Sequence, residues 1–290
     1  MLFYIIGFTL LIFDLLFRPL NSVISILRSK TILNKVVLDS KSDEKHTVCI
    51  HHYVPLGLNY TKHIGGKDYV VGAQSILELS HLSSFDVFCV LLNPKGQNID
   101  EYYQRYPAVK FIISQENRYD FDSYFKLTKL MANRPLRAIS FFNDNVAVNS
   151  DVAAFVVKTN LIINLNRSIG MVGLGSNTVL TQSLFKKSFS PHVQTYGFTV
   201  QLELMIAFTS FWQPILKKAW IGKFFKIFVC RLLEQGLSKF ILSSGHSLGF
   251  LRNGELKCYT RKYRCFDSEV DWPLGKGDYR ITENSPFRFK

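Results

Sequence analysis

The chain is short of acids. In 290 residues, 22 Asp and Glu stand against 35 Lys and Arg, a formal net charge of +13. Such a balance suits an anionic partner: a nucleotide diphosphate, an acidic membrane or nucleic acid. No nucleic-acid-binding motif is present, and no nucleic acid is expected. Neither GxGxxG nor GxxxxGK[ST] occurs, so the usual dinucleotide and P-loop fingerprints are absent. Ser244, Gly245, His246 and Ser247 supply the residue types of a hydrolase, but without a GxSxG elbow. The cysteines are Cys49, Cys89, Cys230, Cys258 and Cys265, an odd count with no CxxC pair. No second ligand pair supports a zinc site, and a reducing compartment is the simpler account. Cys49 and Cys89 sit inside apolar strand-like runs and read as small core residues. No internal repeat or low-complexity tract is found. What the chain does have is apolar mass, 47% hydrophobic and 14% aromatic, which excludes disorder and is enough for one large core.

Residues 1–17 carry one charge, Asp14. As a helix they would extend roughly 25 Å, the low edge of a membrane span. No positive segment precedes them and no small-residue cleavage site follows, which disfavours a signal peptide. Arg18, Arg28 and Lys30 come after, so a spanning helix would leave the bulk in the cytoplasm. An interfacial helix is the alternative. Residues 1–40 are thus expected to be membrane-associated, with the protein on the cytoplasmic face.

The charged link KSDEK precedes the main domain, expected over 46–250, with 251–290 as a tail packed on it. His46–Val54, Phe85–Leu92, Val109–Ile113 and Leu136–Phe142 read as strands. Gln74–Leu82, Ile99–Tyr106 and Asp122–Met131 read as helices. This alternation predicts an α/β fold: a mixed, mostly parallel sheet flanked by helices. Further on, Phe155–Leu165 is apolar and strand-like at its end, Ile169–Thr178 is a Gly-rich, flexible wall, and Thr199–Phe211 and Ile215–Leu233 read as helices.

The most informative stretch runs from Asn117 to Asn145: RYDFDSYF, a spacer, then AISFFNDNV. A strand that delivers Asp144 between Asn143 and Asn145 at its tip suits a metal-bound diphosphate, with Asp144 the metal ligand and Mg²⁺ or Mn²⁺ the cation. The bland alternative is an Asp-Asn turn. Asp120 and Asp122 fall at a strand-to-helix junction, where Asp122 is expected to cap the helix and Asp120 to face the ligand. Arg118 or Lys126 could pair with either acid. His51 and His52 lie near a strand end, the usual ligand crevice of an α/β sheet, and His52 is the candidate contact. Asp86, opening another strand, is a further donor contact. His192, Gln194 and Tyr196 lie in SPHVQTYGF and are candidates for an acceptor's hydroxyls. A general base would come from Asp120, His192 or Glu203.

Several segments in one order carry a resemblance: HHY after the first strand, ILELSHLSSFDVFCVLL, ENRYDFDSYFKL, ISFFNDNVAV, PHVQTYGFTV with FTSFW beyond it, and LLEQGLSKFIL. Together, from about Thr47 to Gly249, they resemble the rhamnan-synthesis protein F-like glycosyltransferases of bacterial polysaccharide synthesis. Asp122 stands where that family commonly has glycine, and Asn-Asp-Asn is not a strict Asp-x-Asp. The resemblance implies a GT-A-like domain and transfer of a sugar, rhamnose or another hexose, with inversion. The donor would be a nucleotide sugar, and the acceptor a glycan or a polyprenyl-phosphate-linked chain. It places Asp120, Asp144, His192 and Gln194 in the cleft. The rival expectation is a catalytically inactive, membrane-tethered scaffold or glycan-binding protein of the same fold.

Overall fold

The computed structural model describes residues 45–64, 67–115, 119–146, 151–173, 176–177, 181–183, 186–188, 192–193, 195–218, 233–252, 255–259 and 265–267. The expected membrane segment, 1–40, lies outside them, as does most of the Ile215–Leu233 helix. Among the described residues no helix is long and apolar enough to cross a membrane.

The chain opens with β1 (His46–Tyr53), then the hairpin strands β2 (Asn59–Ile64) and β3 (Lys67–Gly72). Next come α1 (Gln74–Leu77), β4 (Phe85–Leu92), α2 (Asp100–Arg105), β5 (Lys110–Ser114), α3 (Tyr119–Met131) and β6 (Ala138–Asn143). They are followed by α4 (Val152–Leu165), β7 (Ile169–Gly173) and four short strands: β8 (Ser176–Asn177), β9 (Thr181–Ser183), β10 (Lys186–Ser188) and β11 (His192–Val193). The remainder is β12 (Gly197–Gln201), α5 (Leu202–Lys218), α6 (Gln235–Ser243), β13 (Ser247–Arg252), β14 (Glu255–Tyr259) and β15 (Cys265–Asp267).

Nine strands form one sheet in the order β15-β14-β13-β7-β12-β6-β1-β4-β5. β1 pairs in parallel with β4 and β6, and β4 with β5. β12 runs antiparallel between β6 and β7. The expected mixed, mostly parallel α/β sheet is therefore present. It also continues past residue 250, because β14 and β15 extend it where a tail was expected.

Both faces are covered, which is why the central strands are apolar throughout rather than alternating. Side-chain alternation sends Val48 and Ile50 of β1 to one core, with Phe142, Phe155 and Ile163. It sends Cys49 to the other, with Phe121, Phe125, Phe141, Phe198 and Phe208. Fully burying each such ring contributes about 1.5–3 kcal/mol. Cys49 and Cys89 are buried core thiols, as expected.

Three sequence expectations are corrected here. Val152–Leu165 is a helix, not a strand. Its run FVVKTNLIINL is apolar on nearly every side because the helix packs on the sheet, and Asp151 caps it by accepting from the Ala154 amide at 2.9 Å. Residues 169–173 form β7 inside the sheet, not a loose wall. A side chain at Gly170 would meet Ile241, Leu204 and His246, and one at Gly173 would meet Val193, so these glycines serve close packing. Residues 199–201 belong to β12, and the helix starts only at Leu202.

Candidate functional site

The order of the central strands defines a crevice. From β1 the chain moves to β4 and β5 on one side, then returns to lay β6 against the other side of β1. The carboxyl ends of β1 and β6 therefore flank a topological switch point, where open α/β sheets bind ligands. The register sets His51 beside Asn143 at this edge.

Strand alternation splits the two histidines. His51 turns toward α3, where its Nδ1 lies 2.7 Å from Ser123 Oγ and its Nε2 lies 3.5 Å from Asp120 Oδ1. His52 turns to the opposite face, its Nε2 2.9 Å from the Tyr102 hydroxyl. The other nitrogen, Nδ1, stands 3.3 Å from Asp144 Oδ2 without the alignment of a hydrogen bond. The Tyr53 amide donates to the same carboxylate oxygen at 2.8 Å. Burial works against ionisation of Asp144, but His52, the Tyr53 amide and His51 outweigh it and hold its pKa below the ordinary value.

Asn143 donates to Asp120 Oδ2 at 2.6 Å and accepts from the Asn145 amide at 3.0 Å. Asn145 in turn accepts from the Tyr60 hydroxyl at 3.0 Å and Lys62 Nζ at 2.9 Å, so the β2–β3 hairpin reaches over the strand tip. Burial and the charges of Asp144 and Asp120 push the Tyr60 phenol up, keeping it a donor.

A third carboxylate arrives from a distant segment. Glu234, in the turn before α6, lies 3.7 Å from His192 Nε2. Burial first, and the charge of Asp120 second, raise its pKa to about 7 against a backbone hydrogen bond from Thr195. This carboxyl can give or take a proton at neutral pH.

The structure thus brings together His51, His52, Asp120, Asn143, Asp144, Asn145 and, through Glu234, His192. Tyr196 joins through its backbone carbonyl, which accepts from the Asn143 amide at 3.2 Å. Gln194 lies outside the described residues, as does Arg118. Asp122 does not cap α3: the helix begins at Tyr119, and Asp122 sits in its first turn, paired with Lys126 at 2.8 Å. An acid there is favoured by the helix dipole. Asp86 and Glu203 are at the other end of the sheet. Asp86 opens β4, opposite Thr47, and Glu203 follows the end of β12, where Gln201 pairs with Ala138.

Sequence reasoning missed Glu234, Lys62 and Tyr60. Glu234 lies in LLEQGLSKFIL, one of the resembling segments, but was not read as a site residue, and the fold carries it to Asp120. The Gly65-Gly66 pair between alternating residues is a hairpin signal that could have found Lys62 and Tyr60.

Among the described residues no three His, Cys, Asp or Glu side chains are placed to hold a metal ion. Asp144 Oδ2 already serves the Tyr53 amide, both oxygens of Asp120 have partners, and the Asn145 carbonyl is taken by Lys62 and Tyr60. Asp144 Oδ1 remains open, and a Mg²⁺ ion bound through one or two carboxylates plus substrate phosphates asks for no such group of three.

No family model matches the chain, and no curated protein matches it. Solved structures do match. A 4-diphosphocytidyl-2C-methyl-D-erythritol synthase from Anaerococcus prevotii is 17% identical, with 64% of this chain and 83% of that chain covered and a TM-score of 0.39. For a cytidylyltransferase from Leptospira borgpetersenii the figures are 12%, 63%, 72% and 0.35. The glycosyltransferase GlyE of Streptococcus pneumoniae also matches, at 7% identity over 67% of this chain but 44% of its own, with a TM-score of 0.36. Such scores concern the outline of the fold and assign no activity. The expected membership among rhamnan-synthesis glycosyltransferases is corrected: no family model matches the chain, and the synthase and the cytidylyltransferase are covered over 83% and 72% of their length against 44% for the glycosyltransferase. The sugar-transferase assignment is not carried forward.

Proposed function

We propose that the chain is an enzyme acting on a nucleotide-bearing substrate, and that it transfers the nucleotidyl group to an acceptor oxygen, as in the synthesis of a nucleotide sugar. One observation carries this reading: Asp144, Asp120 and Glu234 converge with three histidines on the crevice at the β1–β6 switch point. The net charge of +13 suits the anionic substrate.

In the reaction, the acceptor's oxygen bonds to the α-phosphorus of a nucleoside triphosphate. The bond from that phosphorus to the bridging oxygen breaks, and pyrophosphate leaves. Glu234 takes the proton of an acceptor hydroxyl or phosphate monoanion, which its pKa of about 7 permits at neutral pH. Asp144, fixed by His52 and the Tyr53 amide, orients the bound substrate through its remaining oxygen. Asp120 keeps Asn143 and His51 in place beside it.

The test is turnover by the full chain with each common nucleoside triphosphate and a panel of sugars and sugar phosphates, following pyrophosphate release and the coupled product by mass spectrometry. At least one pair should react, and Glu234→Gln should lower the rate about 100-fold or more. Nucleotide binding without turnover across the panel would leave a binding protein and contradict the enzyme. Residues 1–40 are proposed to hold the enzyme at the cytoplasmic face of a membrane. Co-sedimentation of the full chain with anionic vesicles checks that attachment, and recovery entirely in the supernatant would refute it.

A further inference from the structure

We propose that the amino-end rim of the sheet is laid against a membrane, its cations taking the headgroups of acidic lipids, so that the crevice opens away from the bilayer. The proposal rests on the attachment proposed for residues 1–40 and names the second contact and the orientation it imposes.

The strand register gathers this rim. His46 lies beside Phe85 and Val48 beside Ser140, so β1, β4 and β6 begin at one level. Val200 of β12 pairs with both Ile139 and Met171, which sets the start of β7 there too. The segments that enter these strands are tied down: the His46 amide donates to the Ser84 carbonyl at 2.8 Å, and Gln201 Nε2 to the Arg167 carbonyl at 3.0 Å. The last turns of α3 and α4 return to the same end, since each helix leads into the start of one of these strands, β6 or β7.

Apolar side chains protrude from the rim. Leu82 before β4, Leu130 in the last turn of α3 and Leu165 at the end of α4 are 47%, 52% and 67% exposed. Cations accompany them: exposed Lys129 adjoins Leu130, and exposed Arg167 follows two residues after Leu165. Half-buried Arg137 reaches the same corner, its Nη1 donating to the Asn164 carbonyl at 2.7 Å. Burial first, and the charge of Arg167 second, lower the Arg137 pKa against the charge of Glu203. Like charges held together are relieved by an anion. Asp86 draws on none of these three, because Lys110 and Arg134 already hold it. Leucines beside Lys and Arg suit the headgroup boundary, where the apolar side chains enter and the cations meet acidic headgroups.

The chain itself selects the occupant. The residues before β1 join the domain at this same rim and carry the apolar run 1–17. Residues 18–44 span at most about 90 Å when fully extended, so an anchored run keeps the rim concentrated near the lipid surface. A tether alone leaves every orientation open, and the rim's charges and leucines select one. The crevice then lies at the far end of β1, an eight-residue strand, roughly 25 Å away. Nucleotide and acceptor reach it from the aqueous phase.

The experiment sediments the full chain with vesicles of phosphatidylcholine and of an equal mixture of phosphatidylcholine and phosphatidylserine, and follows hydrogen–deuterium exchange on the mixed vesicles. The parent should prefer the mixed vesicles, with protection gained over residues 82–84, 133–137 and 166–168 and none over the β2–β3 hairpin. Lys129→Gln combined with Arg167→Gln changes two exposed side chains. It should lower affinity for the mixed vesicles about 10-fold or more and leave binding to phosphatidylcholine and turnover of soluble substrates unchanged. An unchanged preference in the double variant, or protection of the hairpin instead of the rim, would overturn the orientation and leave the attachment standing. Protection of the same loops by a single-stranded oligonucleotide but not by vesicles would overturn it in favour of nucleic acid. A parent that binds neither vesicle would overturn the attachment itself, and the orientation with it.

Discussion

The two ends of the sheet treat their acids in opposite ways. At the amino end of β4, Asp86 is gripped by two cations, Lys110 at 2.6 Å and Arg134 at 2.7 Å. Both cations also stand over the Phe88 ring, at 4.5 and 4.8 Å from its centre. Burial opposes the charge of Asp86, but its two partners prevail and its pKa falls below the ordinary value. At the carboxyl ends of β1 and β6, the acids meet imidazoles and amides. There burial first, and the charge of Asp120 second, raise Glu234. An acid with fixed cations on both oxygens is a clamp between strands. Acids left under-neutralised in a crevice are where perturbed proton equilibria and ligand contacts concentrate.

The contrast can be broken most severely at Glu234. Glu234→Gln should lower turnover about 100-fold or more, the usual scale of general acid–base catalysis, with the fold retained by circular dichroism. Next is Asp144→Asn, expected to weaken nucleotide binding by about 10- to 100-fold, because a charged hydrogen-bonding group is lost from the crevice. Asp86→Asn should leave binding and turnover within a few-fold of the parent. Its cost should appear as stability, about 1–2 kcal/mol by denaturant titration, discounted for the exposure of both cations.

The ends should also titrate with opposite signs. Glu234 is raised from 4.5 to about 7, so the folded state holds an extra proton between those values. Its contribution to stability is full below 4.5 and is lost as pH rises through about 7, by about 3 kcal/mol at most. Asp86 is lowered, so its contribution is present above the ordinary carboxylate value and is lost as pH falls. Stability curves of the parent, Glu234→Gln and Asp86→Asn should separate the two slopes. The same Glu234 titration predicts turnover rising through about pH 7, and a flat profile in Glu234→Gln would match its role.

The parallel half of the sheet was legible because its signals are local. Phe85–Leu92 is apolar and bounded by turn residues, and β4 occupies those residues. Val152–Leu165 was not, since a helix buried on most of its surface loses its amphipathic period and its Val and Ile content reads as strand. The site divides in the same way. Asp144, Asn143, Asn145 and His52 could be read from strand ends. Asp86 was read as equivalent because sequence does not say which end of a strand faces the crevice. Only the order of β4, β1 and β6 does. Glu234 stood in a quoted segment, but its place at the site depends on the packing of α6 near β11, which local sequence does not give.

The most direct measurement is calorimetric titration of the full-length parent, Asp144→Asn and Asp86→Asn with nucleoside di- and triphosphates. A nucleotide site at the β1–β6 tips predicts equal binding by the parent and Asp86→Asn and a loss of about 10-fold or more in Asp144→Asn. Equal affinity in Asp144→Asn and the parent, or no binding by the parent in a folded sample, would contradict it.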